Sequence, residues 1–269
     1  FASMFNLTPT VRTLLFINLG LYLLETQLGQ RMILFGALYP IGSINFQPWQ
    51  FVTYMFLHDP NSFTHVLFNM FGLISFGPLL EQRWGAERFL MFWLICGVGA
   101  GALYSSVRYY ELHQMNEARI EFQQHPTGVG LADFFRDYYP DAEGYQSVAT
   151  ALNRKPNDQG LISSANETLR AIYNESLNST SAGMLGASGA LFGLLFAFGY
   201  LFPNTELMLL FFPFPIKAKY FVTLYALYEL YAGIHRTPGD NVAHFAHLGG
   251  LLIGFIVLKL WERGRSQFY

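Results

Sequence analysis

Ser188, His247, His65 and Asn69 are the residues of this chain whose types could carry out acyl transfer. A serine hydroxyl becomes a nucleophile when an imidazole takes its proton, and donors aimed at the developing oxyanion stabilise the tetrahedral intermediate. His65 and Asn69 stand at i and i+4, so on a helix they project from one side, and both can donate hydrogen bonds. All four lie in apolar stretches, where a histidine or an asparagine is costly unless it faces protein or a water-filled cavity.

The elements that must carry these residues are six apolar runs, 10–26, 63–80, 89–107, 183–202, 218–234 and 242–260, several near the minimum length for a spanning helix. With 52% hydrophobic and 13% charged residues in 269, the chain departs from soluble domains, where about a quarter of residues are charged. Its solvent is lipid. His65 and Asn69 sit near the start of the second run, Ser188 near the start of the fourth and His247 near the start of the sixth. Alternate crossings enter the bilayer from one side, so at about 1.5 Å of rise per residue the four side chains fall about 5–10 Å below one surface. Two further apolar stretches, 32–46 and 207–216, are broken by proline or glycine and are expected in the interface.

Lys and Arg in short loops stay on the cytoplasmic side. With the N-terminus inside, Arg12, Arg83, Arg88, Lys217, Lys219, Lys259, Arg263 and Arg265 are internal, and the short outer loops hold only Arg31 and Arg236. The polar quartet is then extracytoplasmic and both termini are cytoplasmic. The stretch 108–182 is polar, with helical periodicity in 109–124, 131–138 and 163–177 and breaks at Pro126, Gly128, Pro140, Pro156 and Gly160. The expected organisation is therefore 1–107 with three transmembrane helices and a membrane-associated first loop, 108–182 as a mostly helical extracytoplasmic insertion, and 183–269 with three more helices. The first and third parts form one bundle. A net charge of −2 gives no reason to expect nucleic acid, and the single cysteine, Cys96, cannot form an internal disulfide. The chain opens at Phe1 rather than methionine, as expected of a sequence lacking its natural start.

Gly186, Gly189 and Gly193 surround Ser188, while His247, Gly250 and Gly254 share one helical face. Small residues let helices approach closely, which makes these five glycines close-packing candidates. If the fourth helix begins near Gly186, the Ser188 amide is a first-turn donor without a helical acceptor and is free to bind negative charge. Taken singly, Ser188 is a packing residue, His247 a structural histidine, and His65 with Asn69 a bridge between helices. Their common depth favours chemistry. His244 raises a metal site, but no H-E-x-x-H stretch is present and no carboxylate stands on its helix turn, Asp240 lying in the preceding loop, so no metal is expected. Glu81, Arg83 and Trp84 fit a structural role at the inner interface. Glu229 lies inside the fifth run, where a carboxylate is expensive, and has no assigned role.

The blocks His65-Val-Leu-Phe-Asn69, Gly186-Ala-Ser188-Gly189 and Ala246-His247-Leu-Gly-Gly250-x-x-x-Gly254 resemble the three signature blocks of the rhomboid intramembrane serine proteases, in family order on the second, fourth and sixth runs. The resemblance implies an all-α, six-transmembrane-helix bundle and a serine endopeptidase with a Ser188–His247 dyad. It implies an oxyanion hole from the Ser188 amide with His65 and Asn69, no cofactor, and no third acid. The substrates it implies are single-pass or multi-pass membrane proteins, cut within a transmembrane helix near the extracytoplasmic surface. Phe192 takes the place of an aromatic residue, often tyrosine, that stacks on the catalytic histidine. Family analogy puts the substrate entrance between the second and fifth helices, with Phe68, Tyr225, Tyr228 and Tyr231 as candidate gate residues.

Two departures stand out: Trp49 precedes Gln50 where the family often has a Trp-Arg pair, and the insertion is long. Ala187 before Ser188 matches active members, since inactive ones lack the serine or have proline before it. The expected location is a bacterial inner membrane. A non-proteolytic rhomboid-like binder of membrane helices is the alternative. A channel would use His65, Asn69, His244 and His247 as a polar path, against which Ile74, Leu195 and Ile256 make the lower half apolar. Nothing in the sequence names a partner for the insertion.

Overall fold

Pro9 pre-sets the backbone of a first helical turn, and α1 follows over Pro9–Leu28. The computed structural model describes residues 7–140, 142–209, 212–235 and 243–263; Arg236, Asp240, Val242 and Arg265 of the sequence reading lie outside them. Two short helices, α2 at Gln30–Gly36 and α3 at Gln50–Thr53, build the first loop, and α3 continues as a 3-10 turn over Tyr54–Phe56. The helices α4 (Phe63–Trp84) and α5 (Ala86–Gln124) follow, then α6 (Gly128–Tyr138), α7 (Tyr145–Arg154) and α8 (Gln159–Asn178). The chain continues with α9 (Ser188–Leu201), strands β1 (Glu206–Leu209) and β2 (Phe212–Lys217), α10 (Ala218–Ile234) and α11 (His244–Arg263). Among the described residues, α4, α5 and α11 are long and apolar enough to cross a membrane, and α9 is a shorter apolar helix.

Several expectations need correction. The third run and the first helix of the insertion are one 39-residue helix, α5, because Arg108 between them is a good helix former and nothing breaks the turn. Residues 183–187 are not helical: Met184 instead exchanges two backbone hydrogen bonds with Leu38, at 2.8 and 2.9 Å. Across the stretch 207–216, expected as an interfacial segment, β1 and β2 pair antiparallel, Glu206 with Lys217 and Leu207 with Ile216. The all-α expectation therefore gains one small sheet. α7 was not anticipated.

Two compact units divide the chain, one of residues 1–39, 45–105 and 183–269, the other of 40–44 and 106–182. In the first, α9 is enclosed along most of its length, which allows it to be apolar all round. α4, α10 and α11 pack on α9, and α1 packs on α4. Glu81 of α4 is buried and closes the start of α1, where its carboxylate accepts the Thr8 hydroxyl and the N–H groups of Thr10 and Val11, the latter two at 2.9 Å. Gln50 is also buried and ties the first loop together, accepting from Gln47 N–H at 3.0 Å and donating to the Asn45 carbonyl at 2.9 Å. Neutral hydrogen bonds thus organise the loop where the family often has an arginine.

The second unit has a core of its own, built from Met115, Phe122, Leu131, Phe134, Leu152 and Leu169. Thr127 caps α6 and Asp158 caps α8, each accepting first-turn N–H groups that the helix cannot satisfy.

Candidate active site

Ser188 opens α9, so its N–H has no carbonyl a turn earlier in the helix to donate to. His247 is in the first turn of α11, and its Nε2 lies 2.8 Å from Ser188 Oγ. Bare backbone brings the two helices this close. A methyl group on Gly250 would sit 1.9 Å from the Gly189 carbonyl oxygen, and one on Gly254 would sit 3.0 Å from Gly193 Cα. Gly189 and Gly193 face α5 as well, where added carbons would meet Ala100 Cβ at 2.7 Å and Cys96 Sγ at 2.5 Å. Phe192, one turn along from Ser188, stacks on the His247 ring at 4.1 Å between centroids and 10° between planes. It holds the imidazole as a flat wall.

His65 comes to the site from α4. Its Nδ1 accepts the Asp59 N–H at 3.4 Å, which leaves Nε2 as the N–H of the ring. That nitrogen faces the turn before Ser188: a methyl group on Gly186 would lie 2.7 Å from it and 3.7 Å from Ser188 Oγ. Gly186 has φ of 127°, so glycine is required here by conformation and by space. Asn69 is buried one turn further into α4, and its Nδ2 donates to the His65 carbonyl at 2.9 Å. The second N–H of that amide remains for another acceptor. His58, in the loop ahead of α4, packs edge-on against His65 at 5.1 Å. Burial, aided by neighbouring His65, pushes the His58 pKa down to about 3, so its ring is neutral.

The sequence assigns Glu229 no role and the resemblance implies no third acid, yet the structure sets the Glu229 carboxylate against His247. Glu229, on α10, is 1% exposed and its Oε2 lies 2.9 Å from His247 Nδ1 and 2.6 Å from His244 Nδ1. A carboxylate that accepts from Nδ1–H leaves the Nε2 lone pair directed at the serine proton. No local pattern marks this residue, because its partners stand 15 and 18 positions later on another helix. The usable signal was the cost of a carboxylate inside an apolar run. Glu229, His244 and His247 also offer three ligand atoms within 4.8 Å of one another, so the carboxylate that the metal reading lacked comes from α10. Tetrahedral zinc at about 2.0–2.1 Å needs its ligand atoms about 3.3 Å apart, wider than the two hydrogen bonds observed here.

A family model described as the Rhomboid domain matches residues 45–113 and 161–262, more than half of the chain. The chain belongs to the rhomboid family. This rhomboid protein is 27% identical, over 80% of its length and 52% of the relative's, to an uncharacterised mitochondrial rhomboid protein of Schizosaccharomyces pombe. It is 40% identical to the mitochondrial rhomboid protein 1 of Saccharomyces cerevisiae over 31% of its own length and 25% of that protein's. A candidate rhomboid protease of Bacillus subtilis, YdcA, is 30% identical over 36% of this chain and 50% of its own. The chain spans about half the length, or less, of these curated relatives.

The residues suggested as a gate in this rhomboid protein divide into two kinds. Phe68 of α4 and Tyr228 and Tyr231 of α10 are exposed, whereas Tyr225 is half-buried against Phe192, 4.9 Å between ring centroids. Tyr225 therefore packs against the ring that stacks on His247.

Proposed function

We propose that this rhomboid protein is an intramembrane serine endopeptidase that cuts transmembrane helices of membrane-protein substrates near the extracytoplasmic surface. The observation that carries the reading is the 2.8 Å approach of His247 Nε2 to Ser188 Oγ at the starts of two apolar helices. Ser188 Oγ attacks the scissile carbonyl carbon while its proton passes to His247 Nε2, and the carbonyl π pair moves onto oxygen. The Ser188 N–H, His65 Nε2–H and the Asn69 amide receive that oxyanion. His247 then gives the proton to the leaving amide nitrogen as the C–N bond breaks, and water hydrolyses the acyl-enzyme by the same route. A substrate helix keeps its carbonyls in internal hydrogen bonds, so weak helix formers such as glycine near the cut favour cleavage by easing local unwinding.

The exposed Phe68, Tyr228 and Tyr231 support an entrance between α4 and α10. A cross-link joining these two helices is expected to stop cleavage of a transmembrane substrate; unchanged cleavage rules this entrance out. The expectation of a bacterial inner membrane finds no support, because two of the three relatives are mitochondrial by name. A mitochondrial membrane is the location we infer from those names.

The test is cleavage of a single-pass model helix by the pure protein in lipid, together with fluorophosphonate labelling, which only an activated serine undergoes. Both are expected, and both are expected to vanish in Ser188→Ala. Helix binding without labelling or cleavage would make the protein a non-proteolytic binder instead.

A further inference from the structure

Glu229 is a carboxylate almost wholly enclosed in an apolar bundle, and two imidazoles from one helix face, His244 and His247 at i and i+3, are hydrogen-bonded to it. Burying an ionised carboxylate is costly unless every neighbour answers it. A bridge between α10 and α11 alone could be made by any neutral pair at lower cost. The bridge here includes the ring that is hydrogen-bonded to Ser188, and uses the nitrogen opposite to that contact. We infer that Glu229 is a positioning residue for His247: it takes the Nδ1–H hydrogen bond and so holds Nε2 as the base facing Ser188, while His244 holds Glu229.

This inference rests on the protease reading. When the Ser188 proton moves to Nε2, the imidazole becomes a cation with its Nδ1–H directed at an anion, and the carboxylate stabilises that charge without accepting the proton. The Phe192 face fixes the plane of the ring but does not distinguish its two nitrogens. Glu229 does. His244, whose Nδ1 shares the same Oε2, anchors the carboxylate rotamer from one turn away on α11. Three residues thereby select one tautomer and one orientation of a single ring.

The experiment compares wild type, Glu229→Gln and Glu229→Asp as full-length protein in lipid vesicles, reading kcat and KM on the model helix, fluorophosphonate labelling rate and thermal unfolding. A folded Glu229→Gln is expected to lose about a hundredfold or more in kcat and labelling rate, with KM within about twofold, because glutamine can offer an N–H to Nδ1 and favour the wrong tautomer. Glu229→Asp is expected to restore part of the loss. Nitrogen-15 NMR of histidine-labelled wild type, at a pH where the ring is neutral and with the signal assigned by its loss in His247→Gln, is expected to show the proton on Nδ1. A folded Glu229→Gln with kcat within about threefold of wild type overturns the inference. So does a wild-type His247 protonated on Nε2, which decides the matter even if the variants fail to fold. Cleavage surviving in Ser188→Ala or His247→Ala would instead overturn the protease reading itself.

Discussion

His65 can turn its Nε2–H toward the turn before Ser188 because its other ring nitrogen is already engaged by the Asp59 amide. Asn69 has less to offer, since one of its two amide hydrogens is given to the His65 carbonyl. The two oxyanion donors implied by family likeness are thus unequal. His65→Ala is expected to lower kcat by about 10²–10³, the effect of losing one well-aimed donor, and Asn69→Ala by about tenfold. Cleavage assays in vesicles measure both, and equal losses would contradict the geometry. At this scale Ser188, His247, His65 and Asn69 can be singled out in the sequence because each sits in a short block of fixed spacing. Glu229 was not readable, because what it touches is set by how α10 packs on α11.

At the scale of elements, the site depends on how closely α9 and α11 approach. A methyl group at Gly250 meets a main-chain oxygen of the residue following Ser188, and no side chain stands between the two helices there to yield. Gly250→Ala is therefore expected to destabilise the protein by about 3 kcal/mol or more and to abolish fluorophosphonate labelling. Normal labelling with an unchanged melting temperature would show that the helices can part without harm. Glu81 acts at a distance from the chemistry, closing the start of α1 through three donors. Glu81→Ala leaves those donors without their acceptor and is expected to cost about 2 kcal/mol of stability with little change in kcat, measured by unfolding in detergent and by cleavage below the transition. Apolar runs revealed most of the helices. They did not reveal α7, whose sequence Tyr145–Arg154 carries few large apolar residues, or the pairing of β1 with β2, whose sequence includes Pro213 and Pro215. The junction inside α5 was misread because a change from apolar to polar composition is not a break in the backbone.

On the scale of the molecule, every residue of the proposed chemistry belongs to one unit, and the unit containing 106–182 carries a separate core. Replacing 108–182 by a short linker is expected to leave a membrane-integrated protein whose Ser188 still reacts with fluorophosphonate within about tenfold of the original rate. Comparing several substrates in the shortened and full-length forms then reads what the insertion selects. Complete loss of labelling in a folded deletion would mean that the insertion takes part in forming the site. The removal also deprives Ser43 and Ile44 of their hydrogen bonds to Asn178, at 3.2 and 3.1 Å, so the first loop is the place to look for a secondary effect.

The contact of main chain with main chain between α9 and α11 has one more consequence. Side chains at an interface can swap rotamers and let helices slip or swivel by small steps, but Gly250 against Gly189 and Gly254 against Gly193 provide no such bearing. Sliding either rod by one position would drive a Cβ into a carbonyl. Ser188 and His247 are consequently either in register or separated with the whole bundle. Heating is expected to extinguish turnover in a single step that coincides with loss of tertiary structure, without a preceding stage of gradual decline.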